Sequence, residues 1–379
     1  MRNGIAAVIL GAGVLLGQQT WVVDTEGNGD FTTLGAAVQA ASAGDTVVLT
    51  YWSGLPNAWS LTLSKGLTIV AAGPGRSEVL GHLVVADLPA NERVVLRSLQ
   101  LSVLAPYPVR VTVQDCAGLV VLDDVVLDGG YGQMFAEAAL TVVGSHRVHV
   151  GRSQLSGDAG LVATDATVTC TDSWIAGANV VSGPGTAGAA VAATASRLWF
   201  AGTMLAGGSN YNGGGFAGPG RSGLVLAAST AVLAGAQALG GTGVAGYAAG
   251  VTLDATSSLT RDAAVWLGPV DAIAGPGAVA TLETGSLSGG IDHGWIRLTA
   301  APGAIGFVLL SLPGPEVATP FGPCWLGWLP APLALGFVPL VRPLPSLSFL
   351  PRGFALTVQG AVLHGGALRL SAPLVTTAP

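Results

Sequence analysis

The sequence predicts an all-β fold: a right-handed parallel β-helix with an N-terminal capping helix, followed by a small C-terminal β domain. The first observation is a ladder of near-repeats between residues 118 and 266. Leu161, Val191 and Leu224 each open a segment with apolar residues at offsets 0, 2, 7, 9 and 14: Leu161, Ala163, Val168, Cys170 and Ile175; Val191, Ala193, Leu198, Phe200 and Leu205; Leu224, Leu226, Ala231, Leu233 and Ala238. Spacing of two within a pair is the strand period, and the breaks between pairs are turns. One such coil cannot bury its inner face, so only stacking on neighbours makes a core. The second observation is composition: 57 glycines and 50% apolar residues with only 9% charged ones suit tightly cornered, stacked strands. The third is a single short amphipathic segment ahead of the ladder.

In chain order, residues 1–18 read as a signal peptide: Arg2, then an apolar stretch from Ile5 to Leu16, too short to span a bilayer comfortably. With it removed, no transmembrane segment is expected, and the protein is placed outside the cell or at its surface. The β-helix is expected over residues 19–268 and a Pro-rich C-terminal β domain over 269–379. Trp21-Val-Val-Asp24 begins a strand and Gly27 to Phe31 turns the chain. Thr32 or Thr33 caps a helix from Leu34 to Ala41, whose Leu34, Ala37, Val38 and Ala41 share one face. Such a helix covers the strand edges that a solenoid end would otherwise expose. Thr46-Val-Val-Leu49 is the next strand.

The stretch Gly27-Asn-Gly-Asp-Phe-Thr-Thr-Leu-Gly-Ala-Ala-Val-Gln-Ala-Ala followed by Gly44-Asp-Thr-Val resembles the opening of pectin-lyase-fold proteins, secreted bacterial ones included. Leu63-Ser-Lys-Gly-Leu-Thr-Ile-Val70 with Gly73 is similar to the first coil those proteins share. The specific likeness covers residues 21–75, and the repeat carries it to about 266. It implies a capped right-handed β-helix and leaves the activity open, because that scaffold carries enzymes and non-catalytic surface proteins alike.

Val94-Val-Leu-Arg-Ser-Leu-Gln-Leu101 matches Val120-Val-Leu-Asp-Asp-Val-Val-Leu127, and coil starts are expected at Leu119, Leu140, Leu161, Val191, Leu224 and Val251. Insertions at 177–189, 207–222 and 240–250 follow the same strand of each coil and should project from one flank. Residues 302–352 are rich in proline, which favours edge strands and turns over a long helix. Trp295-Ile-Arg-Leu298 reads as a strand. Phe354 to Gln359 and Leu368-Arg-Leu370 alternate like paired strands.

One lysine and a net charge of −6 exclude a nucleic-acid partner, which needs a basic stripe. Cys116, Cys170 and Cys324 leave one thiol over, with a Cys116–Cys170 bridge conceivable. No cysteine or histidine spacing suggests a metal.

Three stretches could carry function. Asp123, Asp124 and Asp128 precede His146, Arg147, His149 and Arg152 by about one coil, so strands ~4.8 Å apart bring some within reach. Asp123, Asp124, Asp128, His149 and Arg152 are the catalytic candidates, set against a purely structural outer face of the β-helix. If the protein were a pectate-lyase-like enzyme, the resemblance would imply calcium held by carboxylates; otherwise no cofactor is expected. Gln114-Asp115 is similar to the Gln-Asp pair of pectinesterases, but the second aspartate strand and the Gly-Arg-Pro-Trp turn of that family are missing. Ile291-Asp292-His293 is similar to a pectate-lyase segment but lies beyond the ladder. The longest insertion offers ligand-binding candidates: Tyr211 or Phe216 to stack on a sugar, with Asn210, Asn212 and Arg221 to bond its hydroxyls.

Sparse charge and the missing motifs favour an exported, non-catalytic surface or interaction protein, with a polysaccharide or cell-surface glycan as partner. The alternative is a polysaccharide-cleaving lyase or hydrolase.

Overall fold

A computed structural model of the protein describes residues 18–50, 60–73, 75–102, 110–129, 137–180, 187–210, 218–261, 265–268, 273–281, 286–290, 295–300, 303–319, 322–327, 331–343 and 354–377. The chain is a right-handed parallel β-helix closed by antiparallel strands. Three parallel sheets form its walls: sheet A of eleven strands, sheet B of nine and sheet C of seven. Each full coil runs from B to A to C. Leu161–Thr164 pairs with Val191–Thr194 in B, Thr167–Thr171 with Arg197–Ala201 in A, and Trp174–Gly177 with Met204–Ala206 in C. The offset pattern is the inward register. All fifteen of its residues are at most 3% exposed, and Phe200 is the largest fully buried side chain.

Two corners hold the coils in register. Between B and A the chain passes through one left-handed residue per coil, at Asp115, Gly144, Asp165, Ala195 and Ala228. Gly144 has φ +58, a conformation that alanine and aspartate also take at this corner, and a Cβ there would displace the Asp115 carboxylate, 2.3 Å away. The next position is a buried hydroxyl ladder. Ser196 donates its N–H to Ser229 Oγ at 3.0 Å, and Ser229 donates its own to Ser257 Oγ at 3.1 Å. Ser145, Ser196 and Ser229 each donate to the carbonyl two residues back, whereas Ser257 donates to the Asp254 carboxylate at 2.7 Å. Ser153 and Ser173 repeat the device between A and C, where Val125 N–H reaches Ser153 Oγ and Ser153 N–H reaches Ser173 Oγ. Backbone groups at a tight corner cannot join a sheet ladder, and buried N–H groups left unbonded are costly.

The capping helix spans Leu34–Ala40. Thr33 is its N-cap, its side chain accepting from Ala36 N–H at 3.2 Å, and Leu34, Ala37 and Val38 are buried in the core. Thr20–Val23 and Thr46–Leu49 pair in parallel beside it.

Two boundaries differ from the sequence reading. The coil start expected at Leu119 belongs to sheet A, and the sheet B strand in that coil is Val111–Gln114. Leu119–Asp123 misleads because it is buried on both faces. The parallel stack also continues past 268: Ile273–Ala274 and Ala278–Thr281 add to sheets B and A.

After Thr281 the strands turn antiparallel. Ser286–Gly290, Trp295–Thr299 and Leu340–Pro343 form one sheet. Ala331–Phe337, Ile305–Ser311, Ala355–His364 and Ala367–Thr377 form another. Leu287, Ile296, Leu298, Val308, Val358 and Val362 fill the core between them. This unit docks on the outer face of sheet A, where Val95, Leu119 and Val121 pack with Ala355 and Val375. The docking explains why sheet A is apolar on both sides.

Cys116 and Cys170 are both free and buried. Cys116 sits at a corner, its thiol turned to the Val85 and Gln114 carbonyls, whereas Cys170 faces the core two coils on. Two strand steps of ~4.8 Å exceed disulfide reach. Burial pushes both thiols above the usual range.

Candidate functional site

The residues singled out from sequence separate into different surroundings. Asp123 and His149 point outward from sheet A and are buried, 1% and 4% exposed. Arg152, at the corner one coil later, donates from Nε to Asp123 Oδ1 at 2.9 Å and from its other arm to Oδ2. A Cβ on Gly151, the strand partner of Asp123, would lie 3.7 Å from the Val375 carbonyl, which places the pair beside the C-terminal strand. His149 stands between Val121 and Thr169 in the register, on the same outward face of sheet A as Asp123. Burial, with the nearby Arg147 charge adding to it, lowers its pKa to about 3, so the ring is neutral.

Asp124 turns away at the corner, where Arg76 holds it at 2.7 Å and Ser98 donates to it at 2.9 Å. Asp128 lies on sheet C, in register with Ser156. The structure thus brings Asp123 and Arg152 together under the same cover as His149, and directs Asp124 and Asp128 into other surroundings.

Of the insertion candidates, Tyr211, Asn212 and Phe216 lie outside the described residues. Asn210 is buried, its N–H donating to Thr242 O at 2.9 Å, and Arg221 is exposed. The insertions do stack on one flank. Val180 bridges Asn210 in parallel, Gly208 N–H bonds Gly188 O, and Gly241 N–H bonds Arg221 O.

The concavity that the structure reveals lies elsewhere, along the B-to-A corner. A groove of about 810 Å³ crosses four coils, lined by Asp115 and Cys116, then His146 and Arg147, then Asp165 and Thr167, then Arg197. Three strand steps of ~4.8 Å make it ~14 Å long. The left-handed corner residues aim Asp115 and Asp165 outward, because the chain reverses there before sheet A resumes. His146 lies 3.5 Å from Thr167 Oγ1 through Nδ1. Arg147 donates to the Ala90 carbonyl at 3.1 Å, and its Nε is buried without a hydrogen-bond partner. Burial lowers its pKa. The groove therefore offers carboxylate acceptors and guanidinium donors side by side, the equipment for holding hydroxyls rather than for one charge. Sequence reasoning noticed Asp115, His146 and Arg147 separately. The missed signal was their shared place within two residues of the corner positions Cys116, Ser145, Ala166 and Ser196 in successive coils.

A second polar cluster, on sheet B, joins Arg110 to Glu137 and to His82, whose Nε2 also lies 3.1 Å from Thr112 Oγ1. Its charges are internally matched. Among the described residues no group of three or more His, Cys, Asp or Glu side chains could hold a metal, and no helix is long and apolar enough to cross a membrane.

No family model matches the chain, and no curated protein matches it. Among solved structures it is similar to full-length tailspike protein 2 from Escherichia coli O157:H7 bacteriophage CAB120. That match has a TM-score of 0.35 and 12% identity, over 90% of this chain and 56% of that one, so this chain spans little more than half the tailspike. It is also similar to ORF18 of Geobacillus virus E2, with a TM-score of 0.25 and 9% identity, over 90% of this chain and 72% of that one.

Proposed function

We propose that the protein is an exported, non-catalytic binding scaffold whose corner groove takes a polysaccharide or cell-surface glycan. The observation that carries this reading is the groove itself, which runs along the solenoid axis and presents Asp115, Arg147, Asp165 and Arg197 on successive coils. A carboxylate accepts from a hydroxyl and a guanidinium donates to one, so alternating them suits a chain of sugar hydroxyls. Their stacking at the strand repeat suits an extended polymer better than a compact metabolite.

Acid–base cleavage is the weaker reading. It needs a proton donor or acceptor with a substrate-sized space beside it. Asp123 and His149 are covered by the docked C-terminal strands, and Asp124 is held by Arg76 and Ser98. Export rests on the apolar stretch from Ile5 to Leu16 behind Arg2.

The test is retention of the full chain on a panel of immobilised acidic and neutral glycans, with release of reducing and unsaturated ends followed in parallel. Retention by at least one glycan, weakened in an Arg197→Ala, Asp165→Asn variant of unchanged melting, is expected. Retention by none, or equal retention of the variant, removes the groove as the site. Released chain ends would establish the enzyme instead.

A further inference from the structure

Sheet C presents an outward row that neither the sequence candidates nor the groove uses. Gln154, Trp174, Met204 and Gln237 are strand partners in successive coils, and Trp266 continues the row through a parallel bridge to Gln237. Gln154 and Gln237 are exposed, Trp174 and Met204 are partly exposed, and Trp266 is 50% exposed. The neighbouring row is low at Ser156, Ala176 and Ala206 and then rises at Leu239, which is partly exposed beside Gln237. Two indole rings thus stand three strand steps or ~14 Å apart, with a thioether and an amide between them and an apolar floor of Ala176, Ala206 and Leu239 alongside. Among the described residues, the docked C-terminal strands pack on sheet A.

We infer that this row is a second binding face, for a linear neutral polysaccharide lying along the solenoid axis. The inference rests on the binding-scaffold reading but not on the groove. Its chemistry selects the occupant. From Gln154 to Trp266 neither this row nor its small neighbour carries a charge, so nothing in it favours an anionic or cationic ligand. An indole ring offers apolar area and a negative face to the C–H side of a sugar ring. Each glutamine amide has both a donor and an acceptor to satisfy, and hydroxyl arrays supply both. An apolar partner would leave those amides unpaired at a cost. Rings, thioether and amides set at the strand repeat therefore match a polymer that offers both C–H faces and hydroxyl edges along its length.

The full chain is run in native affinity gels containing amylose, dextran, galactomannan or xylan, with tryptophan fluorescence titrated in solution. At least one of these polysaccharides should retard the protein and shift its emission. Trp266→Ala should weaken binding tenfold or more at unchanged melting. Trp174→Phe, conservative enough to preserve packing beneath the ring, should weaken it severalfold. Phe337→Ser removes another exposed aromatic, 73% exposed on the C-terminal domain, and should change nothing. The Arg197→Ala, Asp165→Asn variant should bind these neutral polymers normally, so the groove and this face fail separately. Retardation by none of the four, or equal binding by both tryptophan variants, overturns the inference. So does loss of binding in the groove variant alone. Concentration-dependent self-association abolished by Trp266→Ala would overturn it too, by showing a second copy on the row.

Discussion

Arg152 grips both carboxylate oxygens of Asp123 from the corner one coil later, and the two side chains are only 15% and 1% exposed. Removing either partner leaves the other charged under the C-terminal strands. Arg152→Ala should therefore cost about 3–5 kcal/mol of stability. Arg76 and Asp124, one position along, form a pair exposed by 39% and 35%, and Arg76→Ala should cost under about 1 kcal/mol. Urea unfolding of the two variants checks the contrast. Equal losses would mean that the Asp123 pair is open to water and the docked sandwich is misplaced. Glycan retention should survive Arg152→Ala wherever the fold does.

Phe200 fills the core between Cys170 and Leu233, its strand partners in sheet A, and is fully buried. Phe200→Asp places an unpaired charge among stacked apolar rows and should prevent folding or destabilise by more than about 4 kcal/mol. Phe200→Leu, which keeps the row apolar, should cost far less. Soluble yield and thermal melting of the pair are the measurement. Similar melting of both would mean that Phe200 faces outward.

Much of this was legible in the sequence, and the reason is periodicity. The 0, 2, 7, 9, 14 spacing survives because every inward side chain touches the same position one coil away, so each repeat is under the same constraint. A threonine cap at Thr32 or Thr33, which is Thr33, and a closing pair of antiparallel strands were readable for similarly local reasons, although residues 355–359 pair with 373–377 and residues 368–370 with 361–363. The candidate site was less legible. Asp123, His149 and Arg152 look like a reactive cluster when only coil spacing is considered. What decides their environment is a strand more than 200 residues later, Ala367–Thr377, and no local pattern announces where it docks. Leu119 was assigned to the wrong sheet for the same reason, its outward face being apolar to receive that strand.

Ser229 sits in the middle of the corner ladder, accepting from Ser196 N–H and donating to the Ala227 carbonyl. Ser229→Ala leaves a buried N–H without its acceptor and should cost about 1–3 kcal/mol. Ser229→Cys keeps a weak donor and acceptor of similar shape, as Cys116 does at the first step of this corner, and should cost less. Hydrogen exchange should show faster opening at Ser196 in the alanine variant. Unchanged exchange there would mean that water replaces the hydroxyl and the ladder is not structural.

His149 makes the last prediction, and the sign follows from its burial. The imidazole is neutral in the folded chain down to about pH 3, because desolvation and then the Arg147 charge oppose protonation. An unfolded chain protonates it near pH 6.5. Between those values the unfolded state binds more protons, so stability falls as the pH drops. The contribution is fully present above about pH 6.5 and is progressively lost towards pH 3, roughly 5 kcal/mol over the whole window. Carboxylates elsewhere also titrate in acid, so the comparison must be with His149→Gln, which keeps a polar side chain of similar reach without a titrating ring. The difference in unfolding free energy between the two proteins should be flat from pH 8 to about pH 7. It should then shift steadily in favour of the glutamine variant as acid is added. A difference that stays constant down to pH 4 would show that His149 titrates normally. The docked sandwich would then not be sealing the outer face of sheet A.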